Sequence, residues 1–140
     1  MFKTYLLALL ALPLLLSVAD SHATPAGTDK EWCAAIGKRL GSVPPALCHK
    51  LELRPAPVVS ANRHALMFRD VPPATRKLAL ADGKPNRPLR ILLVGGIHGD
   101  ELTSASITFR WMQWLNESEP GQYHWRVIPV ANPDGLLASP

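Results

Sequence analysis

His98 and Glu101 stand three residues apart in Gly95-Gly96-Ile97-His98-Gly99-Asp100-Glu101, directly after the apolar run 89–94. An imidazole and a carboxylate at that spacing, on a turn that leaves a strand and enters a helix, can close on one divalent cation. Catalytic zinc of the two-His, one-Glu kind needs this pair and one more His, with a further position left open for water. Gly95, Gly96 and Gly99 take side-chain bulk away from the turn and admit conformations closed to other residues. A bare H-x-x-E is more often an ordinary strand-to-helix turn whose His bonds a backbone carbonyl. The double glycine, the apolar strand before it and the helical pattern after it favour the metal. Asp100 has three open roles: acceptor for the second imidazole nitrogen, helix cap, or solvated surface.

A second signal is Asn132-Pro133-Asp134-Gly135. Each of these residues suits a turn, and the tetrapeptide alone implies nothing more. Its order matters. If the strands preceding the two motifs run parallel, both turns lie on one rim of the sheet, outside the carboxyl ends, where open α/β sheets place their ligands. Asn132 and Asp134 are then candidates for shaping the wall of a cleft.

The elements that must position these residues follow from periodicity. The run 89–94 reads as a buried strand. After Glu101 the period changes: Leu102, Ala105, Phe109 and Met112 form one helical stripe, while Ile107, Trp111, Trp114 and Leu115 form another, so a helix over 102–115 should be covered on two sides. Residues 116–121 break it. A second strand spans 124–131, with Pro129 pointing to an edge or a bulge. Strand, helix, strand is the βαβ unit, and the fold class is a three-layer α/β sandwich. Upstream, Thr28 or Asp29 caps a helix running through Leu40, with Gly41 as its stop. The proline-rich stretch 42–57 reads as irregular connections held by the cysteines, 64–71 as a strand ended by Pro72-Pro73, and 82–86 as a turn.

The first 23 residues have a lone Lys3, an apolar core over 5–18 and the ending Ser21-His22-Ala23. This is the pattern of a secretory signal peptide cleaved before Thr24. The apolar run contains Pro13 and is short for a membrane span. The mature chain is thus expected to be exported, periplasmic or secreted, without stable membrane association. Lys3 and Asp20 leave together, so the net charge stays at +4. With no Lys/Arg block and no interleaved aromatics, this balance excludes a nucleic-acid partner as the working hypothesis. Cys33 and Cys48 are an even pair in an exported chain, at neither a redox nor a zinc-finger spacing, and read as a structural disulfide. His49 and His64 read as surface or packing residues. His124 begins the second strand, away from the Asn132 rim, and His22 leaves with the leader.

Together, Val94-Gly95-Gly96-Ile97-His98-Gly99-Asp100-Glu101 and Asn132-Pro133-Asp134-Gly135 resemble the zinc carboxypeptidase family, closest to its bacterial murein peptide amidase branch. The resemblance covers residues 89–140. It implies a mixed sheet with helices on its faces, Zn2+ held by His98 and Glu101, and hydrolysis of an amide bond in a peptide or murein peptide. In the family a second zinc-binding His, a basic residue with an Asn-Arg pair, and a catalytic Glu follow the second motif. None occurs here before Pro140. The chain therefore reads as a leader (1–23), an N-terminal segment with the disulfide (24–86) and the first part of a catalytic domain (87–140). The general base is expected beyond Pro140, and the 140 residues alone are expected to be inactive. Aspartoacylase and succinylglutamate desuccinylase relatives carry a similar Gly-x-His-Gly-x-Glu turn; export and the Asn132–Gly135 motif argue against that alternative. A non-catalytic remnant is the third possibility.

Overall fold

The computed structural model describes residues 29–74, 87–118 and 121–138. The leader with its cleavage point, Thr28 and the turn at 82–86 lie outside the described residues.

The first helix, Asp29–Arg39 (α1), starts on Asp29 and Glu31 and finishes on Lys38 and Arg39, so charged side chains oppose its dipole at both ends. It buries Trp32, Cys33 and Ile36. The proline-rich stretch after it is more regular than its composition predicts. Pro45 opens a short helix, Pro45–Lys50 (α2), behind Pro44 at the N-cap. At the first helical position the missing proline N–H is an orphan in any residue, so two prolines start this helix instead of preventing it. Cys33 and Cys48 are disulfide-bonded, Cα atoms 5.6 Å apart, and staple α2 to α1.

The next strand, Arg54–Val59 (β1), contains Pro55 and Pro57. Among the described residues it pairs on one side only, with Ala65–Val71 (β2), and its register shifts between Pro55 and Val59. An edge strand with a bulge is where a sheet tolerates residues that cannot donate. The remaining strands are Arg90–Val94 (β3) and His124–Ile128 (β4). The order in the sheet is β1-β2-β4-β3, with β2 antiparallel and β3 parallel to β4. The 16-residue helix Leu102–Glu117 (α3) links the parallel pair, as the βαβ reading requires. β4 is interior and ends before Pro129 rather than at Ala131; a residue with no N–H is accommodated past the end of a central strand, not inside it.

One cluster holds the core: Trp32, Ile36, Leu40 and Val43 from the α1 side, Ala105, Phe109 and Met112 from α3, and Met67 and Val127 from the sheet. Trp32 meets Phe109 at 6.3 Å between ring centroids and donates its indole N–H to the Ala65 carbonyl at 3.1 Å. Burying each large side chain contributes about 1.5–3 kcal/mol. The first α3 stripe is thus inward, as its spacing predicts. The second is not: Ile107, Trp111 and Trp114 are exposed, and Leu115 alone of that stripe packs on the core. Nor is β3 buried on both faces, since Leu92 is 62 % exposed. The helices share one core with the inward face of the sheet, so the described residues form two layers where three were expected. On the outward face Arg126 grips Asp70 through two 2.8 Å hydrogen bonds and stacks on Phe68 at 4.8 Å.

Candidate metal centre at the sheet rim

The parallel pairing of β3 and β4 continues past both strands. Gly95 N–H donates to Ile128, Ala131 N–H to Gly95, and Asn132 N–H to Gly96, each at 2.9 Å. These bonds carry the two motifs out of the sheet side by side. Gly96 has φ +58°, a left-handed conformation that turns the chain away from the sheet. Farther out the turns touch backbone to backbone: a Cβ on Gly99 would stand 2.0 Å from the Gly135 carbonyl carbon. Only glycine at 99 permits that approach. The rim predicted for the two motifs is therefore a physical junction.

His98 and Glu101 both sit on the turn into α3, where the Glu101 N–H reaches the His98 carbonyl at 3.3 Å. Both side chains are exposed. Glu101 occupies the N-cap of α3 without a side-chain capping bond. Ser104 serves that end instead: its hydroxyl donates to the Glu101 carbonyl at 3.0 Å and accepts from Gly96 N–H at 3.2 Å. The Glu101 carboxylate makes no side-chain hydrogen bond among the described residues. It opens with Asp100, Thr103, Ser104 and Ile107 onto a shallow depression of about 530 Å³, whose walls do not include His98. Among the described residues, no three His, Cys, Asp or Glu side chains gather into a group able to hold a metal ion.

The second motif is more structured than a turn. Asn132 caps a short helix, Pro133–Leu137 (α4), its Oδ1 accepting from Gly135 N–H at 2.9 Å. Arg39 of α1 donates to the Leu136 carbonyl at 3.0 Å and ties α4 to the first helix. Asp134 faces the other way, onto the tip of the β1–β2 hairpin. It accepts from the Ser60 hydroxyl at 2.5 Å and the Asn62 N–H at 3.0 Å, and meets His64 Nδ1 at 3.0 Å. The Ser60 hydroxyl, then the Asn62 amide and His64, hold its carboxyl below the ordinary range against the opposing effect of desolvation. Asn132 and Asp134 thus share the rim with His98 and Glu101, and the Asn132 Oδ1 and the Asp134 carboxylate both help hold it together.

His64, expected at the surface or in packing, belongs to this rim. The pairing spans 70 residues, and no local spacing reveals it. His124 stands apart from the rim, at the start of β4 and 3.5 Å from Asp70. His49 lies near Asp29 at 3.8 Å, also away from it.

Comparison with family models, with characterised proteins and with solved structures gives no match for this chain. Among the described residues, no helix is long and apolar enough to cross a membrane.

Proposed function

We propose that this chain carries the zinc-binding portion of an exported metallocarboxypeptidase or peptide amidase acting on a peptide, with cell-wall peptides as one candidate class. The observation that carries the reading is the junction of the two motif turns, Gly99 against Gly135, at the carboxyl ends of two parallel strands. The disulfide between Cys33 and Cys48 supports an oxidising compartment, where such bonds persist.

The donor set suits zinc in kind. His98 and Glu101 offer one imidazole and one carboxylate, neither engaged in a hydrogen bond among the described residues, and are the two residues that would hold the ion. The set is short in number, since a catalytic zinc site takes three protein ligands. A bound zinc would supply Lewis-acid polarisation of the scissile carbonyl and activation of a water. The chain's own residues do the positioning. Gly96 turns the backbone out of β3, Ser104 closes the start of α3 so that Glu101 stays free, Asn132 caps α4, and Asp134 anchors the neighbouring hairpin. The further His and the general base that the family places after its second motif would complete the constellation.

Zinc titration of the full chain by calorimetry tests the assignment. Weak binding should be lost in both His98→Ala and Glu101→Ala, while His124→Ala should bind as the parent does. Appending a segment with the family's later His should tighten binding, and that gain should disappear with His98→Ala. Zinc binding that survives both rim substitutions unchanged overturns the assignment.

A further inference from the structure

The hairpin tip carries a third chemical group to the rim, independent of any metal. We propose that His64, held by Asp134, is a proton-accepting residue that presents its Nε2 lone pair to a water or hydroxyl O–H. An ionised carboxylate only accepts hydrogen bonds. Asp134 already receives the Ser60 hydroxyl and the Asn62 amide, and its contact with His64 Nδ1 at 3.0 Å must likewise be a donation from the ring. A neutral imidazole has one N–H. With that proton on Nδ1, the lone pair is on Nε2. This nitrogen makes no hydrogen bond among the described residues, and the His64 side chain is 38 % exposed.

The ring is held from its backbone as well. His64 N–H donates to Ser60 Oγ at 2.9 Å, and Ser60 N–H donates to the His64 carbonyl at 2.9 Å, closing the hairpin over Asp134. The arrangement is that of a carboxylate that selects a histidine tautomer and offsets the imidazolium formed on proton uptake. In the step itself, the O–H proton passes to Nε2 while the oxygen keeps the bonding electron pair. Ser60 is not the oxygen in question, because its own proton is committed to Asp134. The location adjoins the junction of the two motif turns: Asp134 precedes Gly135, whose backbone is packed on Gly99, next to His98.

Long-range 1H–15N correlation spectra of the full chain, recorded at alkaline pH, read the tautomer directly. The expected result is a pyrrole-type Nδ1 and a pyridine-type Nε2 for His64. In Asp134→Ala the two resonance types should exchange as the commoner Nε2–H form takes over, whereas Ser60→Ala should retain the parent pattern. Diethyl pyrocarbonate, which consumes an unprotonated and accessible ring nitrogen, should modify His64 of the parent chain at least as fast as His49. An Nε2–H tautomer in the parent chain, or modification of His64 more than tenfold slower than His49, would overturn the proposal. Failure of Asp134→Ala to fold leaves both parent-chain measurements decisive. None of these readouts involves zinc, so the proposal and the metal assignment fail separately.

Discussion

Gly99→Ala is the substitution that bears hardest on the rim. The added methyl would lie 2.0 Å from the Gly135 carbonyl carbon, 2.4 Å from its Cα and 2.5 Å from its oxygen. All three are backbone atoms, so no rotamer change relieves the overlap. Either the His98 turn lifts away or α4 shifts, and α4 is tied to the Gly96 turn, α1 and the hairpin by Asn132, Arg39 and Asp134. Overpacking typically costs 1–3 kcal/mol, and a clash of backbone with backbone belongs at the top of that range, about 3 kcal/mol. With a urea dependence of about 1.5 kcal/mol per molar, the unfolding midpoint should fall by about 2 M. Gly41→Ala is the matched control, because a Cβ there meets nothing within 4 Å. It should be neutral or stabilise by up to about 1 kcal/mol through the unfolded chain. Chemical denaturation followed by tryptophan fluorescence measures both. A Gly99→Ala midpoint within about 0.3 M of the parent would refute the packed junction, and with it the observation that carries the proposed function.

Replacing Cys33 and Cys48 together by alanine should cost about 3 kcal/mol from loop closure alone, and the unreduced parent should show no alkylatable thiol among the described residues; both follow from denaturation curves and mass spectrometry. Stability should decline on acidification, because Asp70 and Asp134 are held below the ordinary carboxyl range, Asp70 chiefly by the Arg126 hydrogen bonds and Asp134 chiefly by Ser60. A depressed folded-state value means the contribution is present above the unfolded value and is lost as pH falls through the folded one, so Asp134→Asn should flatten this acid limb in pH-dependent denaturation. Phe109→Ala, which empties a buried site on α3 facing Trp32 of α1, should cost about 3–5 kcal/mol, whereas Trp111→Lys on the exposed stripe should stay within about 0.5 kcal/mol.

What could be read from the sequence was whatever local chemistry decides. The Gly95–Glu101 turn follows from residues that are adjacent in the chain, and the inward stripe Ala105, Phe109 and Met112 from helical spacing alone. The parallel pairing that brings two motifs to one rim was inferable from the strand-helix-strand order, because a crossover of that length permits it. Proline misled for a physical reason: its effect depends on whether the position needs an N–H, and Pro45 at a helix start and Pro57 on an edge strand do not. The second α3 stripe misled for another, since periodicity shows that a face is apolar but not that anything covers it.

The Asp134 network illustrates where local reasoning runs out. Asn-Pro-Asp-Gly specifies a cap and a turn, and Asn132 and Gly135 use it so, but a cap needs only one of the two polar side chains. Asp134 is left to bond whatever the tertiary structure delivers, and a hairpin 70 residues earlier delivers Ser60 and His64. Nothing in the spacing of His64 distinguishes it from His49, which ends near Asp29 instead. The difference arises from the antiparallel β1–β2 register, which sets the hairpin tip beside α4, so the chemistry of this rim is as much a property of sheet topology as of its motif residues.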